Sequence, residues 1–340
     1  MSTIKTTVPL VSVVLPFYKP GKKLEDAVRS IVEQTFTRWE LILVNNNACE
    51  ISSAIAEKWS KKNKNIILIH EPVQGIAHAI NTGIRHASAE LVARMDADDI
   101  SLYGRLSKQA DYMLNHPETG VVSTSSFFCS DIDKNEGFSV FVDWQNNIIT
   151  NEQHYLARFI ESPLAHPTVM FRKKLIDLYG YYATGNVPED YELWLRWFEK
   201  GVGFYKIPEK LVQWNDHGER LSRIHHGYSK EAFMHVRYEY LARYLNEKTV
   251  DGKKIIVCGG SKNILKKVNY LAELGVNICG VTDIIPRKAA GFRFFPDGEI
   301  NDPGEYLILN LISKRGIGKK IKDHFTARGF IEGKDVILAG

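Results

Sequence analysis

The regular alternation of strand and helix signals through the first hundred residues most restricts how this 340-residue chain can fold. Apolar, strand-like runs lie at 11–17, 39–47, 65–71 and 90–99, and helical patterns separate them at 23–35, 50–62 and 75–87. This order predicts a mostly parallel sheet flanked by helices, an α/β fold. Because such sheets bind ligands at the carboxyl ends of their strands, the segments NNN (45–47) and DADD (96–99) are expected to share one crevice.

A second α/β unit is predicted after a polar segment. Helices at 102–115, 189–201 and 229–245 and a strand at 120–128 complete a first domain, 1–245, and 246–253 has the composition of a linker. From 254 to 340 the alternation resumes, and the first turn there contains Gly259 and Gly260, with Asp283 where a ribose-binding acid would stand. The full G-x-G-x-x-G pattern is absent, so we expect a smaller Rossmann-like domain for regulation, docking or homo-oligomerisation.

Charge and composition exclude some functions. The net charge of +4 suits a small anionic substrate and is far from typical of a nucleic-acid-binding protein. The sequence shows no signal-peptide pattern or membrane-spanning segment, and its four cysteines are scattered, so we expect a cytoplasmic protein with at most peripheral contact at the inner face of the membrane. Lysine clusters at 58–64, 262–267 and 314–322 fit either solvated helix faces or a surface that meets phosphate or lipid.

The segment DADD brings carboxylates together at the end of a strand. Asp96 and Asp98 are two residues apart and point to the same side of the strand, where they would raise each other's pKa unless a cation lies between them. Oxygen ligands select Mg²⁺ or Mn²⁺, and so few protein ligands suggest that a substrate diphosphate completes the shell. The alternative is that the turn only caps the following helix, with Asp99 as the N-cap.

Several segments together resemble the family 2 glycosyltransferases of the GT-A fold. They are SVVLPFYK (12–19), SIVEQTFTRWELILV (30–44), QGIAHAINTGIRHA (74–87), LVARMDADD (91–99) and EDYELWLR (189–196), in the family's order. The resemblance covers about residues 9–225. It implies an inverting enzyme that transfers a sugar from a nucleotide-sugar donor to a glycan or lipid-linked acceptor, in surface polysaccharide biosynthesis.

The resemblance also implies roles for individual residues. Asp98 is expected to ligate Mn²⁺ or Mg²⁺, with Asp96 on the metal or the donor ribose. The family has aspartates that contact the base after its second strand, whereas this chain has Asn45 and Asn46, whose amide oxygens can also accept a hydrogen bond. A UDP-sugar remains the first expectation for the donor, with a guanosine or thymidine nucleotide as the alternatives. The alternative to base binding is that these asparagines only form a polar turn. The remaining residues expected to border the donor are Pro16, Phe17, Tyr18 and Gly75.

The acceptor side of the reaction needs a general base. Glu189 and Asp190 stand at a helix start, and the resemblance implies Asp190 as the base with Glu189 in support. His166 is expected to line the cleft, Arg220 and Arg223 to bind phosphate, and His217 to complete the metal shell. Trp194 and Trp197 are expected to lie in the core.

Two other functions compete with sugar transfer. A sugar-phosphate nucleotidyltransferase shares the α/β plan, but LPFYKPGKKL (15–24) is a poor match to the glycine-rich loop that would follow its first strand. A non-catalytic nucleotide-sugar sensor would need no base, so the carboxyl pair Glu189 and Asp190 argues against it.

Overall fold

The computed structural model describes residues 8–131, 136–218, 220, 223, 225–250, 252–283 and 291–340. They form two compact units, the first from residues 1–151 and 163–232 and the second from 152–162 and 233–340. Across these described residues, every helix is too short or too polar to cross a membrane.

The first unit is built on an eight-stranded mixed sheet with the strand order β3-β2-β1-β4-β7-β6-β8-β5. Its strands are β1 (Val11–Phe17), β2 (Trp39–Asn45), β3 (Ile66–His70), β4 (Leu91–Arg94), β5 (Ile100–Ser101), β6 (Thr119–Ser130), β7 (Met170–Arg172) and β8 (Gly203–Asp216). Its helices are α1 (Lys23–Val32), α2 (Glu50–Lys62), α3 (Ile76–His86), α4 (Arg105–Asn115), α5 (Glu136–Asn146), α7 (Lys174–Tyr179) and α8 (Glu189–Glu199). A further helix, α6 (Asn151–Ala157), lies almost wholly in the second unit.

The central strands explain the position of the site. All seven residues of β1 are buried, as expected for a parallel strand that helices cover on both faces. β1 pairs in parallel with β2 and β4, and Phe17 lies opposite Asn45 in the register. The ends of β1, β2 and β4 therefore meet at one edge, which places NNN and DADD at the same edge of the sheet, as predicted.

The capping alternative for DADD is wrong. The short strand β5 follows the acidic turn, and α4 begins only at Arg105, with Gly104 in a left-handed conformation (φ +81°) as its N-cap. Asp99 instead accepts a hydrogen bond from the backbone N–H of Asn215, at 2.8 Å, and so joins the turn to the end of β8.

The second unit contains a five-stranded, all-parallel sheet with the order β11-β10-β9-β12-β13. Its strands are β9 (Lys254–Cys258), β10 (Ile278–Thr282), β11 (Arg293–Phe294), β12 (Tyr306–Asn310) and β13 (Val336–Leu338). Its other helices are α9 (Lys230–Val250), α10 (Lys262–Glu273) and α11 (Ile317–Thr326). The four strands predicted from 254 onward are all present, and β11 is an addition.

The segment predicted as a linker is largely helical. α9 runs to Val250, so 246–250 continue the helix, while residue 251 lies outside the described residues. The first compact unit ends at Ala232 and the second resumes at Phe233, and residues 152–162 belong to the second unit. The segment 246–251 is polar but contains no glycine or proline, so nothing in its sequence stops the helix before Gly252.

Candidate active site

The acidic turn after β4 places three carboxyl groups close together. Single carboxylate oxygens of Asp96, Asp98 and Asp99 all lie within 4.8 Å of one another. Arg94, buried in β4, forms an ion pair with Asp96, and the Arg220 guanidinium lies 3.5 Å from the other Asp96 oxygen. Burial alone would raise the pKa of Asp96, but these two arginines outweigh it and lower the pKa. Two arginines therefore compensate the charge of Asp96.

Asp98 has a different neighbour. Its Oδ2 atom lies 2.7 Å from Nε2 of His217, so the structure brings His217 next to the acidic turn. Asp99 is fully buried, and burial raises the pKa of its carboxyl well above the usual range. Its Oδ2 atom has no hydrogen-bond partner among the described residues. The turn thus offers one accessible carboxylate–imidazole pair and one buried oxygen that lacks a donor.

The asparagines after β2 build the adjoining turn. Asn46 is buried; its Nδ2 donates to the carbonyls of Glu71 and Val73, and its Oδ1 accepts from the Gly75 N–H at 2.9 Å. Asn45 donates to Ser53 and accepts from the Ala48 N–H. Asn46 thus organises the loop that leads to Gly75, and Asn45 organises the turn that leads into α2.

The residues predicted at the end of β1 lie beside this turn. Pro16 and Phe17 close the strand, and the Phe17 carbonyl accepts from the Asn46 N–H at 3.0 Å. Phe17 is buried, whereas Tyr18 is 42% exposed at the rim and so is open to an aromatic base. The structure therefore brings Pro16, Phe17, Tyr18, Asn45, Asn46 and Gly75 to one region.

The two acids at the start of α8 have unusual electrostatics. Glu189 is buried; this burial and then the neighbouring Asp190 charge raise its pKa to about 8, while Tyr228 donates a hydrogen bond to its Oε2. Asp190 is less buried, and desolvation raises its pKa to about 6, although Oδ1 accepts from the Tyr191 N–H at 2.7 Å. Carboxyl groups with pKa values near neutral are suited to proton transfer.

His166 connects the two acidic groups. Its Nε2 accepts from Nε of Arg94 at 3.2 Å and lies 3.0 Å from the Tyr182 hydroxyl. Its Nδ1 faces Oε1 of Glu189 at 3.6 Å. Burial, and then the Arg94 charge, lower the pKa of His166 well below its usual value, so the ring is neutral with its proton on Nδ1.

The two arginines predicted to bind phosphate are not equivalent. Arg220 reaches the acidic turn, where its guanidinium stacks over Trp214, 4.8 Å from the ring centroid. Arg223 instead donates from Nε and Nη2, one edge of its guanidinium, to the two carboxylate oxygens of Asp216 at the end of β8, so the structure does not bring it to the carboxylate cluster.

Sequence reasoning missed Arg94, Tyr182 and Tyr228. Arg94 carries a sequence signal, because it is a charged residue in an otherwise apolar buried strand, and such residues need built partners. It donates to Val14 and Met95 carbonyls as well as to Asp96 and His166. The two tyrosines could not be found, because their roles arise only from the tertiary fold.

A cavity of about 200 Å³ opens beside the acidic turn. Asp98, Asn215 and Asp216 line one part of it, and Lys23 and Asp26 of α1 line another. Free volume next to Asp98 is what a substrate site at this edge requires.

Comparison with known proteins agrees with this architecture. The sequence model of the family "Glycosyl transferase family 2" matches residues 12–179. The amylovoran biosynthesis glycosyltransferase AmsE of Erwinia amylovora is 32% identical over 205 residues, which are 59% of this chain and 74% of that protein. The chain belongs to glycosyl transferase family 2. This glycosyltransferase is also 27% identical over 238 residues to an Escherichia coli UDP-Gal:alpha-D-GlcNAc-diphosphoundecaprenol beta-1,3-galactosyltransferase, covering 68% of this chain and 82% of that protein.

A solved structure supports the GT-A fold of the glycosyltransferase. The Staphylococcus aureus TarS fragment 1–349 in complex with UDP-GlcNAc matches with a TM-score of 0.54 and 16% identity, over 69% of this chain and 71% of that chain. Identity at this level shows a common fold and carries no information on the donor of this chain.

Proposed function

We propose that this glycosyltransferase moves a sugar from a nucleoside-diphosphate donor, a UDP-sugar as first choice, to a hydroxyl group of a glycan or lipid-linked saccharide. We further propose that the anomeric centre is inverted and that the product is a surface polysaccharide. The observation that carries this proposal is the link from the carboxylates after β4, through Arg94 and His166, to the acids of raised pKa at the start of α8.

Asp190 is the proposed general base. With a pKa of about 6 it is largely ionised at neutral pH, and it is the more exposed of the two acids. Glu189, with a pKa of about 8, is largely protonated there and is held between Tyr228 and His166. In this assignment Asp190 removes the acceptor proton while neutral Glu189 keeps the start of α8 in place.

A divalent cation fits the residues after β4. Asp98 and His217 would offer an oxygen and a nitrogen ligand, and Asp99, whose Oδ2 has no hydrogen-bond partner in the described part of the chain, belongs to the same carboxylate cluster. Asp96 is the weaker ligand, since Arg94 and Arg220 already compensate it. A bound Mn²⁺ or Mg²⁺ would supply positive charge to the departing nucleoside diphosphate.

The chain's own residues supply the rest of the donor site. Arg220 adds a cation next to Asp96, where diphosphate oxygens can accept its hydrogen bonds. Tyr18 is partly exposed at the end of β1, where Lys19 Nζ lies 4.7 Å from the centroid of its ring. The E. coli relative is named for UDP-Gal and a diphosphoundecaprenol-linked sugar, which supports UDP as the first choice. We further propose that the enzyme is cytoplasmic and that it contacts the inner face of the membrane peripherally when its acceptor is lipid-linked.

Thermal unfolding with a panel of nucleoside diphosphates tests the proposal. UDP, GDP, TDP, CDP and ADP are each added with and without Mn²⁺ to wild type, to Asp98→Ala and to Asp111→Ala, an exposed acid of α4 that serves as the control. Because a ligand of the folded state raises Tm, one diphosphate should stabilise wild type and Asp111→Ala only with metal, and should fail on Asp98→Ala. Equal shifts with and without Mn²⁺, or on Asp98→Ala, would refute the metal assignment. Binding without sugar release would favour a nucleotide-sugar sensor.

A further inference from the structure

Two turns meet at one edge of the sheet in the second unit. In the strand order β11-β10-β9-β12-β13, the chain adds strands on one side of β9 and then on the other side, so the switch point lies between β9 and β12. Open parallel sheets bind ligands outside the carboxyl ends of their strands at such a point. One turn leads from β9 into α10, and the other leads from β12 into α11.

The first turn is closed by the chain itself. Its Gly260 N–H donates to Oδ2 of Asp283 at 3.0 Å. A carboxylate of the protein thus lies where a phosphate oxygen would accept this hydrogen bond. The glycine pair that sequence analysis singled out therefore does not offer an open anion site.

The second turn has the features that the first one lacks. Gly316 (φ +80°) is the N-cap of α11, and as a glycine it has no side chain that could accept from the first N–H groups of the helix. The helix has ten residues, and its dipole places positive charge at this end. The Ile317 N–H donates to the Lys314 carbonyl at 3.1 Å, so the N–H groups of Gly318 and Lys319 are the ones that can meet a ligand. Gly318 lies in that first turn and leaves the backbone open to close approach.

A buried donor faces the same place. Asn310, the last residue of β12, is fully buried; its Oδ1 accepts from the Ile312 N–H at 3.1 Å, but its Nδ2 has no partner among the described residues. A Cβ atom added to Gly318 would lie 3.5 Å from this Nδ2. Because an unsatisfied buried donor costs about 1–3 kcal/mol, this amide is expected to serve an acceptor that the chain does not provide.

All the charged residues in the segment that contains this turn are positive. The segment 311–322 contains Lys314, Arg315, Lys319, Lys320 and Lys322 and no acidic residue. Lys314, Lys319 and Lys320 are exposed and lack a carboxylate partner within the described part of the chain. This is one of the lysine clusters for which the sequence left a phosphate-facing role open.

We propose that the first turn of α11 binds a phosphoryl group, a phosphate monoester or diphosphate, through its backbone N–H groups, Asn310 Nδ2 and Lys319. Phosphate oxygens accept from all three, and the lysines around the turn match a dianion better than a single carboxylate. The site lies wholly in the second unit and is independent of the proposed sugar transfer.

Hydrogen–deuterium exchange of the full-length chain provides a local test. Sodium pyrophosphate is the probe, and the measured quantity is amide protection in the peptide covering 311–322. Gly318→Ala is the decisive variant, because alanine favours the helix and its Cβ meets ordinary contacts of 3.5–3.9 Å, yet it fills the space in front of Asn310. Lys319→Gln removes the cation, and Lys334→Gln, an exposed lysine at the opposite end of the strands, is the matched control.

The expected result is protection in wild type and Lys334→Gln, with affinity about tenfold or more weaker in Gly318→Ala and Lys319→Gln. No protection at millimolar pyrophosphate, or equal protection in wild type and Gly318→Ala, would overturn the proposal. A circular dichroism melt verifies that Gly318→Ala is folded, so lost binding cannot reflect unfolding.

Two further arms identify the source of the phosphoryl group. Protection by UDP but not by phosphatidic acid vesicles, whose headgroup is a phosphate monoester, indicates a soluble ligand, and the reverse indicates a lipid headgroup; either result supports the site. Equal protection by neutral phosphatidylcholine vesicles would contradict it, because that lipid surface lacks a net charge.

Discussion

Replacing the two acids at the start of α8 one at a time should separate their roles. The pKa of about 6 leaves Asp190 about nine-tenths ionised at pH 7, whereas the pKa of about 8 leaves Glu189 only about one-tenth ionised. Asp190→Asn removes the ionised carboxylate that we propose as the base, so we expect nucleoside diphosphate release from the donor to fall about 10²–10⁴-fold. Glu189→Gln mimics a carboxyl that is already neutral, and we expect its activity to stay within about tenfold of wild type.

The assay follows release of the nucleoside diphosphate from the sugar donor, with Glu199→Gln, an exposed acid at the end of the same helix, as the control. Because Asp190 must be deprotonated to act, kcat/KM of wild type should rise with pH through about 6 and then level off. Both variants should bind the donor with unchanged affinity. Comparable activity of Asp190→Asn and wild type, or a larger loss in Glu189→Gln than in Asp190→Asn, would refute the assignment.

Three further predictions concern the buried residues around the site. Burial lowers the pKa of Lys206 to about 7, and its Nζ donates to the carbonyls of Gln145 and Pro163. Between pH 7 and 10.5 the unfolded chain keeps a proton on Lys206 that the folded chain has lost, so the free energy of unfolding rises with pH. From pH 7 to 9 it should rise by about 2 kcal/mol more in wild type than in Lys206→Met, as measured by urea unfolding. Tryptophan fluorescence suits this measurement because all six tryptophans lie in the first unit; a pH-independent difference would contradict it. Arg94→Lys cannot reproduce the fork that joins Asp96 to His166, and should lower turnover about 10–100-fold with an unchanged far-UV spectrum. Trp197→Ala should cost about 3–5 kcal/mol of unfolding free energy, because the side chain is fully buried; a loss below 1 kcal/mol would contradict the packing.

Motifs at strand ends could be predicted from the sequence because parallel strands bring their carboxyl ends together. The shared edge of NNN and DADD follows from that rule alone, and the structure places Phe17 opposite Asn45 as the rule requires. His217 lies beside Asp98 as expected, and Trp194 and Trp197 are buried in the core. These features depend on local pattern and on motif spacing.

Other features depend on contacts between distant parts of the chain. The compensation of Asp96 by Arg94 and Arg220, and the pairing of Arg223 with Asp216, follow from the path of the segment after β8, which no periodicity reveals. Helices α5 and α6 lie in a stretch without a clear apolar repeat, and β7 has only three residues. In the second unit, closure of the Gly260 turn by Asp283 joins residues 23 positions apart.

The anomeric configuration of the first sugar released tests the central claim most directly, and it requires no knowledge of the acceptor. Proton NMR can follow the slow hydrolysis of an α-linked nucleotide sugar, in which water replaces the acceptor, before the free sugar equilibrates. A single displacement assisted by Asp190 predicts that the β anomer appears first and that Asp190→Asn suppresses its formation. Release of the α anomer first would contradict the proposed inverting mechanism.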